Sequence, residues 1–386
     1  MYQIHCRYFN GYKPCGKSEQ CDAHCPSRDI PQLRILIVHL EAMGAVLRAT
    51  SILPALKRRF PSSHITWITH PSSLALLENN PYIDQVTSYD FESLLNLKSI
   101  HFDIAYCIDK SLKASGVLQT LEYDLLYGFK ADHLGSILPQ NPEAKGYWEL
   151  GLNDHQKFFV NKKPETQLIT ESLGLQYQRD EYVLSLTDSE KEEAQTRRTQ
   201  WLKDKTLLVG INTGCSPTIK AKRLSVEKHR ELIEVLTGQA NVAVVLLGGG
   251  PEDDQRNAEI AQDFCVALSN TQSGLRDGMV SVESCDVIIS GDSLGMHMGI
   301  ALKKWVVAWF GPTCAHEIDF YDRGVSVLAP VECGPCWKRS CQKTTMCYDQ
   351  VQVQQLMEGV HKGVQWLKKY SSFKPPTSEI FSSVFP

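Results

Sequence analysis

Leu33-Arg-Ile-Leu-Ile-Val38, a turn around Gly44, an apolar-periodic stretch through Val46, Leu47, Ile52, Leu53 and Leu56 that Pro61 closes, then His64-Ile-Thr-Trp-Ile-Thr69: this run decides the fold. Two short β-branched runs flank a segment of helical period, the pattern of a βαβ unit with parallel strands and a right-handed crossover. Phe102-Asp-Ile-Ala-Tyr-Cys-Ile108 extends the series. A second series begins at Thr206-Leu-Leu-Val-Gly-Ile211. It continues with a helix over Val226–Leu236, a strand over Val242–Leu247 ended by Gly248-Gly249-Gly250, and a helix over Pro251–Phe264. Cys285–Ile289 and Trp305–Phe310 are its later strands. The expected class is α/β, two doubly wound Rossmann-like domains facing one another. Ligands of such sheets bind outside the carboxyl ends of the strands, which places a ligand cleft between the domains.

The domain boundaries follow from the same pattern. Residues 1–30 form a Cys-rich extension, 31–190 a first α/β domain and 205–350 a second, with a Cys-rich segment at 333–347. The charged helical stretch Asp188–Asp204 reads as the bridge. Residues 351–386 are an amphipathic helix, roughly Val353–Lys368, and a loop-like tail containing Ser371, Ser372, Pro375 and Pro376. A length of 386 residues suits two domains.

Composition narrows the function. Apolar residues make up 42% and charged residues 22%, which excludes disorder for most of the chain. Forty Lys and Arg against 44 Asp and Glu leave no basic footprint, so nucleic acid is not expected as a partner. No apolar run reaches the ~18–20 residues of a membrane span, and the polar N-terminus lacks the apolar core of a signal peptide. A cytoplasmic protein is expected, where thiols stay reduced.

Eight of 13 cysteines fall in two clusters: Cys6, Cys15, Cys21 and Cys25, then Cys333, Cys336, Cys341 and Cys347. Four thiolates suit structural zinc or iron, and a closed site of four leaves no open position for chemistry. Reduced free thiols, or disulfides formed on isolation, are the plain alternatives. An iron–sulfur redox protein rests on cysteine number alone. Several of the scattered cysteines (Cys107, Cys215, Cys265, Cys285, Cys314) read as small core hydrophobes.

Three loops carry candidate chemistry. Glu41-Ala-Met-Gly-Ala45 follows the first strand, and Gly44 permits close backbone approach or positive φ. Asn212-Thr-Gly-Cys-Ser-Pro-Thr-Ile-Lys-Ala-Lys-Arg223 brings hydroxyls, a glycine and three cations directly after a strand, a composition fit for a diphosphate. Ser290-Gly-Asp-Ser-Leu-Gly-Met-His297 is a small-residue loop running into a helix near Met296, with Asp292 and Ser293 as cap or ligand contacts and His297 in the first turn. A fourth, weaker signal is Gly248-Gly-Gly-Pro-Glu-Asp253, where Glu252 suits a ribose or base edge. Neither a Gly-x-Gly-x-x-Gly fingerprint nor a Walker A lysine is present, so dinucleotide redox enzymes and P-loop enzymes are poorly supported.

In this order the loops resemble family-nine glycosyltransferases, the bacterial lipopolysaccharide heptosyltransferases and their relatives. The resemblance runs from Arg34–Thr50 through Gly210-Ile-Asn-Thr-Gly214 with Lys222-Arg223, Val245–Gly249 and Asp292–His297 to Phe310-Gly-Pro-Thr313. It covers roughly residues 31 to 360, includes the Cys333–Cys347 pattern, and makes residues 1–30 an extension found in a subset. It implies the GT-B architecture and inverting transfer of a sugar, typically an ADP-activated heptose, to an acceptor hydroxyl. The acceptor is a glycan, glycolipid or protein, lipopolysaccharide core among them, and no catalytic cofactor or metal is needed. By resemblance the donor site comprises Gly44, Thr213, Gly214, Lys222, Glu252, Asp292, Ser293, Gly295 and His297, with Lys222 also catalytic. Peripheral association with the inner face of the inner membrane is a further implication.

One position departs. The family's Gly-Asp, whose carboxylate is its presumed general base, is here Gly44-Ala45. Loss of a general base costs on the order of 10²–10⁴ in rate. Three accounts compete: an engineered inactive variant, a member with another base such as Glu41 or His39, or a non-catalytic binding or scaffold protein on the same fold.

Overall fold

The computed structural model describes residues 1–370; the expected loop tail from Ser371 on lies outside them. The chain divides into two compact units. The first comprises Met1–Val160 with Thr166–Ser185; the second comprises Asn161–Glu165 and the chain from Leu186 on.

The first unit is built on strands β1 (Leu33–Val38), β2 (Ser63–Thr69), β3 (Gln85–Ser88), β4 (His101–Cys107), β5 (Glu122–Ala131) and β6 (Ile137–Pro139). They lie in the order β3-β2-β1-β4-β5-β6, parallel except for β6, which runs antiparallel to β5. The central strands are covered on both faces, as parallel sheets require. Ile35, Ile37, Trp67 and Tyr106 pack on one side with Val46, Ile52 and Leu56. Leu36, Val38, Phe102 and Cys107 pack on the other with Val117 and Leu118. The Cys-rich extension belongs to this unit. Its Arg7 is held by Asp29 (2.8 Å), by the Ser63 carbonyl (2.9 Å) and by Asp84.

The second unit contains β7 (Leu207–Asn212), β8 (Val242–Leu247), β9 (Ala267–Leu268), β10 (Val287–Gly291), β11 (Trp305–Phe310) and β12 (Gly324–Leu328). The order is β12-β11-β10-β7-β8-β9, all parallel. Cys285, expected at the start of a strand, instead precedes β10 by two residues and is buried. The C-terminal helix Val353–Tyr370 buries Leu356, Val360 and Val364 in this unit's core, and the Trp305 indole donates to the Gly359 carbonyl (2.9 Å).

The expected bridge is a helix, Asp188–Leu202, but it is part of the second unit. Arg197 pairs with Asp277 and Arg276 with Glu190, both across to the helix Leu275–Glu283. A capping box starts this helix: the Thr187 hydroxyl accepts from Glu190 N–H, and the Glu190 carboxylate accepts from Thr187 N–H. Thr187→Ala removes one half of that exchange. The expected loss is about 1 kcal/mol, read as a lower urea midpoint at unchanged m-value.

Candidate active site

In the second unit, the loops after β7 and β10 are neighbours because those strands pair directly, Asn212 opposite Ser290. Asn212 ties them together. Its amide donates to the Gly214 carbonyl (2.9 Å), to Ser293 Oγ (2.9 Å) and to Ser290 Oγ (3.2 Å). Two glycines make the approach possible. A Cβ on Gly295 would fall 2.5 Å from Asn212 Cγ, and one on Gly291 would fall 1.9 Å from the Lys222 carbonyl oxygen.

That packing delivers Lys222 to Asp292, with Nζ 2.8 Å from Oδ2 and both side chains largely buried. His297 Nε2 lies 4.0 Å from the other Asp292 oxygen. Burial alone would raise the Asp292 carboxyl; the Lys222 ammonium and the His297 imidazole outweigh it and hold the group below the usual carboxylate range. Lys222 Nζ also stands 5.3 Å from the Trp337 ring centroid. Helix Leu294–Ala301 starts at this point, a little earlier than expected. Its N-cap residue, Ser293, makes no side-chain capping bond, so its hydroxyl serves Asn212 instead. The first-turn amides of such a helix suit an anion. Glu252 sits in the exposed first turn of helix Pro251–Ala261 and meets Arg223 at 3.1 Å.

Three candidate residues sit in other settings. Thr213 is fully buried, and its hydroxyl engages the Leu247 carbonyl and Asn257. Its side chain therefore anchors the loop rather than meeting a diphosphate. Gly44 lies inside helix Met43–Ala49 and is not among the glycines with positive φ. Gly214 is buried against the Asp253 carboxylate.

The first unit presents a different constellation at the carboxyl end of β1. Ala45 is half-buried in helix Met43–Ala49 and carries no ionisable group. Glu41 is exposed and paired with Lys113 at 2.9 Å. His39 is 4% exposed, and its Nδ1 lies 2.5 Å from Asp109 Oδ1. The other Asp109 oxygen accepts from Leu40 N–H (2.6 Å). Asp109 escaped the sequence reading because 70 residues separate it from its partner. The available signal was its place just after a strand. Lys110, the next residue, lines a cavity of about 400 Å³ together with Ser136, Ile137, Leu138, Trp148 and Leu152.

The cysteine clusters are partly drawn together. Cys6, Cys15, Cys21 and Cys25 all line one cavity of about 20 Å³, and Asp29 N–H points at Cys6 Sγ (3.4 Å). Burial, with Cys336, Cys333 and Cys341 nearby, pushes the Cys347 thiol up to about 11. Yet among the described residues no three Cys, His, Asp or Glu side chains are grouped so as to hold an ion. The two four-cysteine ligand sets are thus not assembled, and no step below runs through a metal. Of the scattered cysteines, Cys107, Cys285 and Cys314 are buried as expected, whereas Cys265 is exposed.

Two Rossmann-like units with polar loops at their strand ends are the parts of a GT-B glycosyltransferase. The fold is shared with a glycosyl transferase family 9 structure from Veillonella parvula (TM-score 0.66, 16% identity, covering 87% of this chain and 98% of that one). It is shared as well with the E. coli ADP-heptose lps heptosyltransferase II (TM-score 0.62, 16% identity, 87% and 100%). A curated relative, lipooligosaccharide heptosyltransferase 2 of Haemophilus influenzae, is 23% identical over 307 residues, 73% of this chain and 84% of that protein. The model of glycosyltransferase family 9 (heptosyltransferase) matches residues 94–346, and the chain belongs to that family. Among the described residues no helix is long and apolar enough to cross a membrane.

Proposed function

We propose that this glycosyltransferase moves a heptose from an ADP-activated donor to an acceptor hydroxyl, with inversion at the anomeric carbon. The observation that carries the donor half is the buried Lys222–Asp292 pair at the start of helix Leu294–Ala301. Free first-turn amides and an ammonium are what a diphosphate needs as it takes up the leaving charge. Glu252 and Arg223 stand at the rim, where a carboxylate accepts from ribose hydroxyls. The names of the E. coli and H. influenzae relatives support heptose as the sugar.

The first unit's 400 Å³ cavity suits the acceptor. Trp148 offers an apolar wall, with its indole N–H already given to the Ile137 carbonyl (2.7 Å). Lys110 adds a cation for an acidic glycan or glycolipid. Direct displacement asks nothing more of the chain than a base for the acceptor proton.

Titration with ADP-heptose tests the donor half. Binding in the micromolar range is expected. Lys222→Ala should weaken it about 10–100-fold, since a charge-assisted hydrogen bond contributes roughly 1.5–3 kcal/mol. No binding of ADP-heptose by the unaltered chain would overturn the donor assignment, and no binding of any nucleotide sugar would leave a scaffold on the same fold.

A further inference from the structure

The residue that replaces the missing carboxylate at position 45 can be read from the geometry of the first unit. We infer that His39, oriented by Asp109, is the general base of this enzyme. The inference rests on the transferase reading above.

Three observations carry it. The first is tautomeric. An ionised carboxylate is an acceptor only. Asp109 already accepts from Leu40 N–H through one oxygen, and His39 Nδ1 stands 2.5 Å from the other. In the neutral ring His39 therefore donates through Nδ1–H, which leaves the lone pair on Nε2. The second is that this Nε2 is buried and has no hydrogen-bond partner among the described residues. A buried polar atom left unpaired costs about 1–3 kcal/mol. A hydroxyl that reaches it, from water or a sugar, removes that cost and is placed for proton transfer. The third is the elimination of neighbours on the same loop. Ala45 has no titratable group, and the Glu41 carboxylate is more than half exposed and held by Lys113. His39 is the first residue beyond β1, and the chain becomes exposed at Glu41 and Ala42, two residues on. Lys110, adjacent to Asp109, lines the cavity assigned to the acceptor.

The step balances without a co-reactant. The acceptor oxygen forms a bond to the anomeric carbon while the bond from that carbon to the diphosphate oxygen breaks. The leaving diphosphate keeps the electron pair. The acceptor's hydroxyl proton passes to His39 Nε2, and the Asp109 carboxylate faces the resulting imidazolium. Asp109 is a positioning residue, since it touches only the imidazole and the chain.

Donor hydrolysis, with water as the acceptor, tests the assignment without an identified acceptor. His39→Gln should lower kcat by roughly 10²–10⁴, with ADP-heptose affinity within twofold of the unaltered chain. Asp109→Asn should lower kcat by a smaller factor at the same affinity. Added imidazole should restore part of the rate to His39→Ala, and His39→Gln with Ala45→Asp should regain activity by returning a carboxylate to position 45. Either recovery separates a base from a structural histidine. A His39→Gln protein that binds donor and turns over within threefold of the unaltered chain would overturn the assignment. So would a loss in His39→Ala that neither imidazole nor Ala45→Asp recovers. Donor binding is read separately, so failure there strikes the transferase reading and not the choice of base.

Discussion

Asp292→Ala should destabilise the protein by about 3 kcal/mol or more and make its melting temperature strongly dependent on ADP. Truncating one partner of a buried ion pair strands the other, at a typical cost of roughly 3–5 kcal/mol. Here the stranded group is Lys222, whose side chain is 17% exposed, so the lower end of that range applies. The His297 imidazole, 4.0 Å from the same carboxylate, loses that anion as well. The sign with ligand is informative. Under the proposed donor site, Lys222 of the unaltered chain shares its charge between Asp292 and the diphosphate. In the variant the diphosphate takes the place of that carboxylate, so ADP should raise the melting temperature more than it does in the parent. Thermal unfolding with and without ADP reads both effects. Equal stability would mean that Lys222 is solvated, and an equal ADP shift would place the diphosphate elsewhere.

Gly128→Ala should be the most damaging single methyl in the first unit. Gly128 ends the part of β5 that pairs with β4, opposite Cys107, and has φ +99°, a region that L residues rarely adopt. A Cβ there would fall 1.9 Å from the Cys107 carbonyl oxygen and 2.9 Å from its carbon, both backbone atoms. Neither can turn aside as a flexible side chain does. Strain of about 1–3 kcal/mol adds to an overpacking cost of similar size, for an expected loss of roughly 2–6 kcal/mol. Because Cys107 lies two residues before Asp109, the damage should reach the His39 partner. Chemical denaturation should show the loss, and ADP-heptose binding by the second unit should survive in whatever fraction stays folded. A variant as stable as its parent would show that β4 and β5 can separate at this point at little cost.

The choice of base also bears on how Ala45 is understood. With His39 and Asp109 in place, alanine at that position is compatible with an active enzyme. Spacing alone does not choose between Glu41 and His39, four and six residues before Ala45 in the chain. What separates them is one partner each: Lys113 for Glu41, Asp109 for His39.

Much of the fold was written locally. Central parallel strands are buried on both faces, so β1, β2, β4, β7, β8 and β11 appear as short, nearly continuous apolar runs at regular intervals. That alone determined two α/β halves. The strands that escaped notice, β3, β5, β6, β9 and β12, lie toward or at the sheet edges, where exposure admits polar residues and erases the run. The loops Asn212–Arg223 and Ser290–His297 were legible as candidate sites because small residues, hydroxyls and cations directly after a strand are a local signal. Their internal division of labour was not. Thr213 looked like a ligand contact and is a buried anchor, since Leu247 and Asn257, 34 and 44 residues away, take its hydroxyl. Asn212 ties two loops and Asp109 orients His39 for the same reason: each acts on a partner 70 to 81 residues distant, brought near by strand order. Residue type and spacing determined the class of fold, the family and the candidate loops. Burial and long-range pairing, which depend on which strand lies beside which, decided what each side chain in those loops is free to do.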